Sequence, residues 1–169
     1  DFLNAFVLII VASIGAVVIP WSRASVEREI PNDRIALFYT AFLLCLTGLL
    51  GITVTGDIFN VFVFLEISSL STYTLVAMGR DRRALTAAFR YLVMGSIGAT
   101  FIVIGIGLLY AMTGTLNMAD LAARIPEAGG SRTIPVAFAF LAVGVSLKLA
   151  RFPLHLWLPN AYSYAPSAV

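Results

Sequence analysis

The sequence has little that ionises and little that could hold a metal. Charged residues are 12% of its 169 positions and hydrophobic ones 60%. With a mean hydropathy of +0.94, that composition excludes an ordinary soluble domain and points to a polytopic membrane protein. A formal charge of +2, with the arginines tied to polar loops, gives no support to nucleic-acid binding. The one cysteine, Cys45, lies inside an apolar run, so it forms no disulfide within the chain, resembles no metal site and reads as packing. No phosphate-cradling glycine loop, ligand cluster or nucleophile triad is visible, so neither a cofactor nor a catalytic step of the chain's own is expected. A signal peptide with a cleavage site is also missing. The chain opens Asp1-Phe2 without methionine and stops at Ala165-Pro166-Ser167-Ala168-Val169, where a fresh apolar segment begins to open. The expectation is a piece of a longer protein.

What is present is a series of long apolar runs, each near the roughly 20 residues that cross a bilayer at ~1.5 Å rise per residue. They predict an all-α, polytopic transmembrane bundle of one domain, with spans at about 2–21, 35–55, 57–79, 83–112 and 134–152 and a broken-helix or loop segment over 153–169. Pro20-Trp21 closes the first span, and SRASVEREIPNDR reads as a solvated loop. Gly56 turns the chain, and Asp57 is an N-cap, with proton access as its alternative role. Gly95, Ser96, Gly98, Ala99, Thr100, Gly105 and Gly107 form a small-residue surface for close helix packing. In TGTLNMADLAARIPEAGG, Thr115 or Asn117 caps a short interfacial helix that could bury Leu116, Met118, Leu121, Ala122 and Ile125. Thr133 as N-cap and Pro135 as an early residue open the last span. One side of the bundle carries Arg23, Arg28, Arg34, Arg80, Arg82, Arg83 and Arg90, the other only Arg124 and Arg132. The positive-inside rule makes the Arg80–Arg90 loop cytoplasmic in a cell (inner) membrane. That topogenic role suffices for the cluster, with RNA or lipid binding as its alternative.

Two charges fall inside apolar runs. Glu66 sits about halfway along GDIFNVFVFLEISSLSTYTLVAM, where a charge costs about 2.5–3.5 kcal/mol and needs a polar partner, a proton or a water path. Ser69 and Tyr73 share its helical face, offering a hydroxyl relay; the alternative is a protonated acid acting as packing glue. Lys148 lies roughly 20 Å along the last span at ~1.5 Å per residue, with Arg151 three residues on and then Pro153, which should break or bend the helix. Unpaired backbone at such a break is tolerated only beside protein or a water-filled cavity. A snorkelling lysine with Arg151 and Trp157 as interface anchors is the alternative. His155, just past the break, can exchange a proton near neutral pH or serve as a structural hydrogen bonder. An acid, a base and a histidine beyond a helix break are the parts of a proton relay, because pairing and burial push their proton affinities in opposite directions.

The segments GDIFNVFVFLEISSLSTYTLVAMGRD, LLYAMTGTLNMADLA and SLKLARFPLHLWLPNAYSYAPSAV resemble the antiporter-like proton-translocating subunits shared by respiratory complex I, membrane-bound hydrogenases and Mrp-type sodium/proton antiporters. Their residues are most similar to those of the D-type subunit of Mrp antiporters. The resemblance implies that Glu66 is the acid of the family's fifth helix and Lys148 the lysine of its broken seventh, together a switching ion pair, with His155 in or near the hydrophilic axis. It also implies that these spans are the third to seventh of about fourteen in two inverted repeats, so that the chain is a fragment of such a subunit. The partners implied are other membrane subunits of a hetero-oligomeric complex, the lipid bilayer, protons and, conceivably, Na+ at Glu66. In two respects the sequence departs from the family. Leu149 and Arg151 follow the lysine where proline or a small residue is usual, and the family's next lysine falls beyond Val169. The implied function is proton translocation in a monovalent cation/proton antiporter; a redox-driven proton pump and a non-conducting structural subunit are the alternatives.

Overall fold

Long apolar runs leave the backbone only itself to bond with once water is gone, and helices satisfy every peptide group within one segment. The computed structural model describes residues 2–128 and 130–169. It contains α1 (Phe2–Glu29), a 3-10 turn (Asn32–Arg34), α2 (Ile35–Val54), α3 (Ile58–Ala77), α4 (Arg82–Thr113), α5 (Met118–Glu127), α6 (Thr133–Lys148) and α7 (Leu158–Tyr164). Among the described residues, four helical stretches, Phe2–Glu29, Asn32–Val54, Ile58–Ala77 and Arg82–Thr113, are long and apolar enough to cross a membrane.

The first helix does not stop at Pro20-Trp21. It runs on to Glu29 with Pro20 inside it, and the stretch expected as a loop is largely helical. Ser22 donates to the Ile19 carbonyl at 2.8 Å, while Arg23–Glu27 at 2.8 Å and Ser25–Glu29 at 2.9 Å supply the side-chain pairs, four apart, that hold a polar turn helical. The stop comes at Ile30, because Pro31 disfavours helical backbone in the residue before it.

At the opposite end of the bundle the starts of α3 and α5 clasp each other. Ile58 N donates to Leu116 O and Met118 N to Gly56 O, both at 2.9 Å, so that Asp57 and Asn117 face each other in an antiparallel bridge. Each caps its own helix. Asp57 Oδ1 accepts from Phe59 N and Asn60 N, and Asn117 Oδ1 from Ala119 N and Asp120 N. Asp57→Ala should therefore lower stability by about 1 kcal/mol, seen as a lower melting temperature of the full-length protein, whereas Asp57→Asn keeps an accepting oxygen and should melt as wild type. Equal melting of the two variants would show that the cap contributes nothing. Of the face expected for α5, Leu121 is buried at 5% exposure beside Leu109 and Ala137, with Ile125 against them; Met118 and Ala122 are exposed.

The expected cap of α6 is corrected as well. Thr133 is its first helical residue, Arg132 precedes it without a side-chain bond, and Ser131 supplies the accepting oxygen for Thr133 N at 3.1 Å. Against α6 lies the small-residue face of α4. A Cβ built on Gly144 would meet Gly98 O at 2.7 Å and Ile102 N at 2.9 Å, and one on Gly105 would meet Leu141 Cγ at 2.7 Å, so the two backbones touch as glycine allows. Ser96, Thr100 and Gly107, expected in that face, are exposed.

Candidate functional site

The break in the last long helix falls earlier than Pro153 would place it, and another device makes it. α6 ends at Lys148. Ala150 has left-handed backbone, φ 49°; its N–H bonds Leu147 O at 3.2 Å and the Arg151 N–H bonds Ser146 O at 3.0 Å. This is a Schellman cap, with alanine in the place usually held by glycine. Pro153 lies beyond it and prevents the helix from resuming at once. Sixteen residues make a helix of only about 24 Å, short of the ~30 Å hydrocarbon thickness. The expected span over 134–152 is thus a shortened helix with Lys148 as its last residue.

That position favours a cation. The last carbonyls of a helix carry its negative partial charge, and Gly98 on α4 lets the final turn approach, with Lys148 Cγ 3.6 Å from where a Cβ of Gly98 would be. Lys148 Nζ lies 2.6 Å from Glu66 Oε1 and donates to Ser69 Oγ at 2.9 Å. The side chains are 11% and 23% exposed. Desolvating two charges costs several kcal/mol per ion, and their attraction at this distance is of similar size, about 4 kcal/mol or more. Two large opposing quantities leave a small balance, so the pair can be opened.

Tyr73, two turns beyond Glu66 on α3, is 5% exposed, and its hydroxyl has no hydrogen-bond partner among the described residues. It sits against Gly95 of α4, where a Cβ would lie 1.8 Å from the oxygen. Its ring meets Tyr91 edge-on at 4.4 Å, and Tyr91 stacks on Trp157 at 4.1 Å and 8°. Trp157 is no interface anchor. It is 7% exposed, and its indole N–H donates to Leu147 O at 3.2 Å, tying the chain after the break to the residue before Lys148. Sequence reasoning did not find this column of rings, because Tyr91 and Trp157 are 66 residues apart and share no periodicity.

The remaining candidates lie outside the pair. His155 Nδ1 is buried without a partner, its ring 5.6 Å from that of Phe152, and no bond joins it to Glu66 or Lys148. Arg151 is exposed and, among the described residues, takes no part in an ion pair. The final residues do not open a new helix. α7 ends at Tyr164, and Ser167 folds back onto α1, its N–H donating to Glu29 Oε2 at 2.9 Å and its hydroxyl to Glu29 Oε1. Ala168 is buried with Val26, Ile30, Phe38 and Leu75.

A bundle of membrane-length helices with an acid–amine pair at a helix break is the arrangement of an antiporter-like membrane subunit. The chain belongs to the family described as NADH:quinone oxidoreductase/Mrp antiporter, TM, whose family model matches residues 55–169. It is 46% identical over 169 residues to the N subunit of the NADH-quinone oxidoreductase of Desulforudis audaxviator, covering 100% of this chain and 33% of the relative. Against the D-type subunit of the Na(+)/H(+) antiporter of Bacillus subtilis the identity is 35%, covering 100% and 34%. A chain of the membrane-bound sulfane sulfur reductase, an archaeal respiratory membrane complex, superposes with a TM-score of 0.75 at 40% identity over 79% of this chain and 27% of that one. The chain thus spans about a third of the length of the curated relatives it matches. The solved structures it resembles are subunits of multi-subunit membrane complexes.

Proposed function

We propose that this chain is the proton-carrying part of a subunit of a monovalent cation/proton (Na+/H+) antiporter, in which the Glu66–Lys148 pair opens and closes as protons move. The observation that carries this reading is the 2.6 Å contact between two largely buried charges on separate helices, one of them the last residue of a broken helix. Closed, the pair keeps both groups ionised. Opened, each charge would be stranded in a poorly solvated place without its counter-charge, so movement of the pair is coupled to movement of the proton. His155, with a buried ring nitrogen that has no partner, is the group beyond the break that could hold a proton in passing. The seven arginines on the α1–α2 and α3–α4 side support a cytoplasmic position for that side, with the other membrane subunits of the complex packed on the remaining faces. A redox-driven complex is the second reading, favoured by the 46% identity to a NADH-quinone oxidoreductase subunit over the whole chain.

Inside-out vesicles carrying the full-length complex test both. With Glu66→Gln, the proton movement that sodium triggers in wild type should fall at least ~100-fold, while the assembled complex is recovered at wild-type level. If wild type ignores sodium and pumps when given a reductant, the second reading replaces the first. If Glu66→Gln transports as wild type, the charge pair is structural and the relay is wrong.

A further inference from the structure

Among the serines and threonines of α3, Ser69 is an exception. Ser68, Ser71, Thr72 and Thr74 each donate to a backbone carbonyl three or four residues earlier. Ser69 instead accepts from Lys148, which leaves its own hydroxyl hydrogen free to turn toward the next group on that face. One turn further along is the Tyr73 hydroxyl, buried and without a partner in bonding geometry, though near enough to Ser69 for the two side chains to interact. Leaving a buried hydroxyl unbonded costs about 1–3 kcal/mol, and phenylalanine would fill the same space without that cost. Tyr73 also lies about 10 Å nearer the arginine-rich end than Glu66, at ~1.5 Å per residue. Past it stands the Tyr91–Trp157 stack. Both rings of that stack line a cavity of about 100 Å³, shared with Thr72, Val76, Ala161 and Tyr162, which has room for a few waters.

We propose that the Tyr73 hydroxyl is the proton-carrying station between the ion pair and the arginine-rich side, and that the stacked rings of Tyr91 and Trp157 are the gate in front of it. This rests on the relay reading of Glu66 and Lys148. In uptake, a hydronium in the cavity gives its proton to Tyr73 Oη, the Tyr73 O–H proton passes to Ser69 Oγ, and the Ser69 proton passes to a neutral Lys148 amine. One proton has then moved from water to nitrogen, and both hydroxyls are restored. The gate is linked to the lysine through covalent neighbours. Trp157 holds the Leu147 carbonyl, so displacement of the last turn of α6 that opens the Lys148–Glu66 pair also pulls Trp157 off Tyr91. Access and charge state change together.

Tyr73→Phe in the full-length complex tests the station. It keeps the ring against Tyr91 and deletes only the oxygen, so the complex should melt at or above the wild-type temperature. Its sodium- or reductant-driven proton transfer per assembled complex should fall at least ~10-fold, and the remaining rate should lose its pronounced slowing in deuterium oxide. Trp157→Phe tests the gate. It keeps a stacking ring and loses the indole donor, and should raise passive proton leak at least several-fold without sodium or reductant, which a purely structural tryptophan would not do. Glu66→Gln run alongside separates the failures. If Glu66→Gln is inactive while Tyr73→Phe keeps the wild-type rate and isotope effect, the station is overturned and the relay stands. If Trp157→Phe does not leak, the gate is overturned. If Glu66→Gln transports normally, both the relay and the station fall.

Discussion

Lys148→Ala should cost the full-length protein both transport and stability, and a second substitution should restore only the latter. Removing the amine leaves the Glu66 carboxylate without a cation at 23% side-chain exposure. Breaking a buried pair from one side costs about 3–5 kcal/mol, and the remaining solvent access reduces this to about 2–3 kcal/mol. Ser69, which accepts from the amine in wild type, can donate to the stranded carboxylate but not neutralise it. In Lys148→Ala combined with Glu66→Gln there is no stranded charge, so the double variant should melt above the single one while remaining inactive. Thermal unfolding of the purified complex and vesicle transport read the two effects separately. Should the single and double variants melt together, the pair is not a desolvated one; should Lys148→Ala still translocate protons, it is not a relay.

Gly144→Ala should be a damaging methyl addition at the contact between α4 and α6. Its Cβ would lie 2.6 Å from Ile102 Cγ1, 2.7 Å from Gly98 O and 2.9 Å from Ile102 N. Two of these are backbone atoms of α4, which no rotamer change can move away, so α6 itself must shift outward. Overpacking of this kind costs about 1–3 kcal/mol. Gly144 is one turn before Lys148, so the shift lengthens the 2.6 Å contact with Glu66, and a displacement near 1 Å is worth up to about 100-fold in rate. Gly107→Ala is the control, since nothing lies within 4 Å of its added Cβ and replacing glycine inside a helix should stabilise by roughly 0.5–1 kcal/mol. Melting of the two variants in opposite directions supports a forced contact between α4 and α6. If Gly144→Ala melts and transports as Gly107→Ala does, the two backbones are not so constrained.

Helix type was legible in the residues because apolar run length leaves few options in a membrane, and Asp57 was legible as a cap because its chemistry acts over three residues. The ends of α1 and α6 were not. Pro20 is outweighed by the polar side-chain pairs that follow it, and α6 is stopped by a left-handed alanine, a residue type that gives no sign of that conformation. Glu66 and Lys148 drew notice because charge inside an apolar run is costly. The residues that accompany them, Gly95 beside Tyr73 and Trp157 on Tyr91, carry no such cost in the sequence.

The amino-acid sequence by itself determined that this protein is helical and membrane-embedded, and that Glu66 and Lys148 would need partners, since hydrophobicity and desolvation act on each residue wherever the chain goes. Only the tertiary structure gave the pair that the family resemblance implies its 2.6 Å contact, added Ser69 to it, and stacked Tyr73, Tyr91 and Trp157 in a column. Those are relations between helices up to 82 residues apart, set by which glycines let which backbones approach.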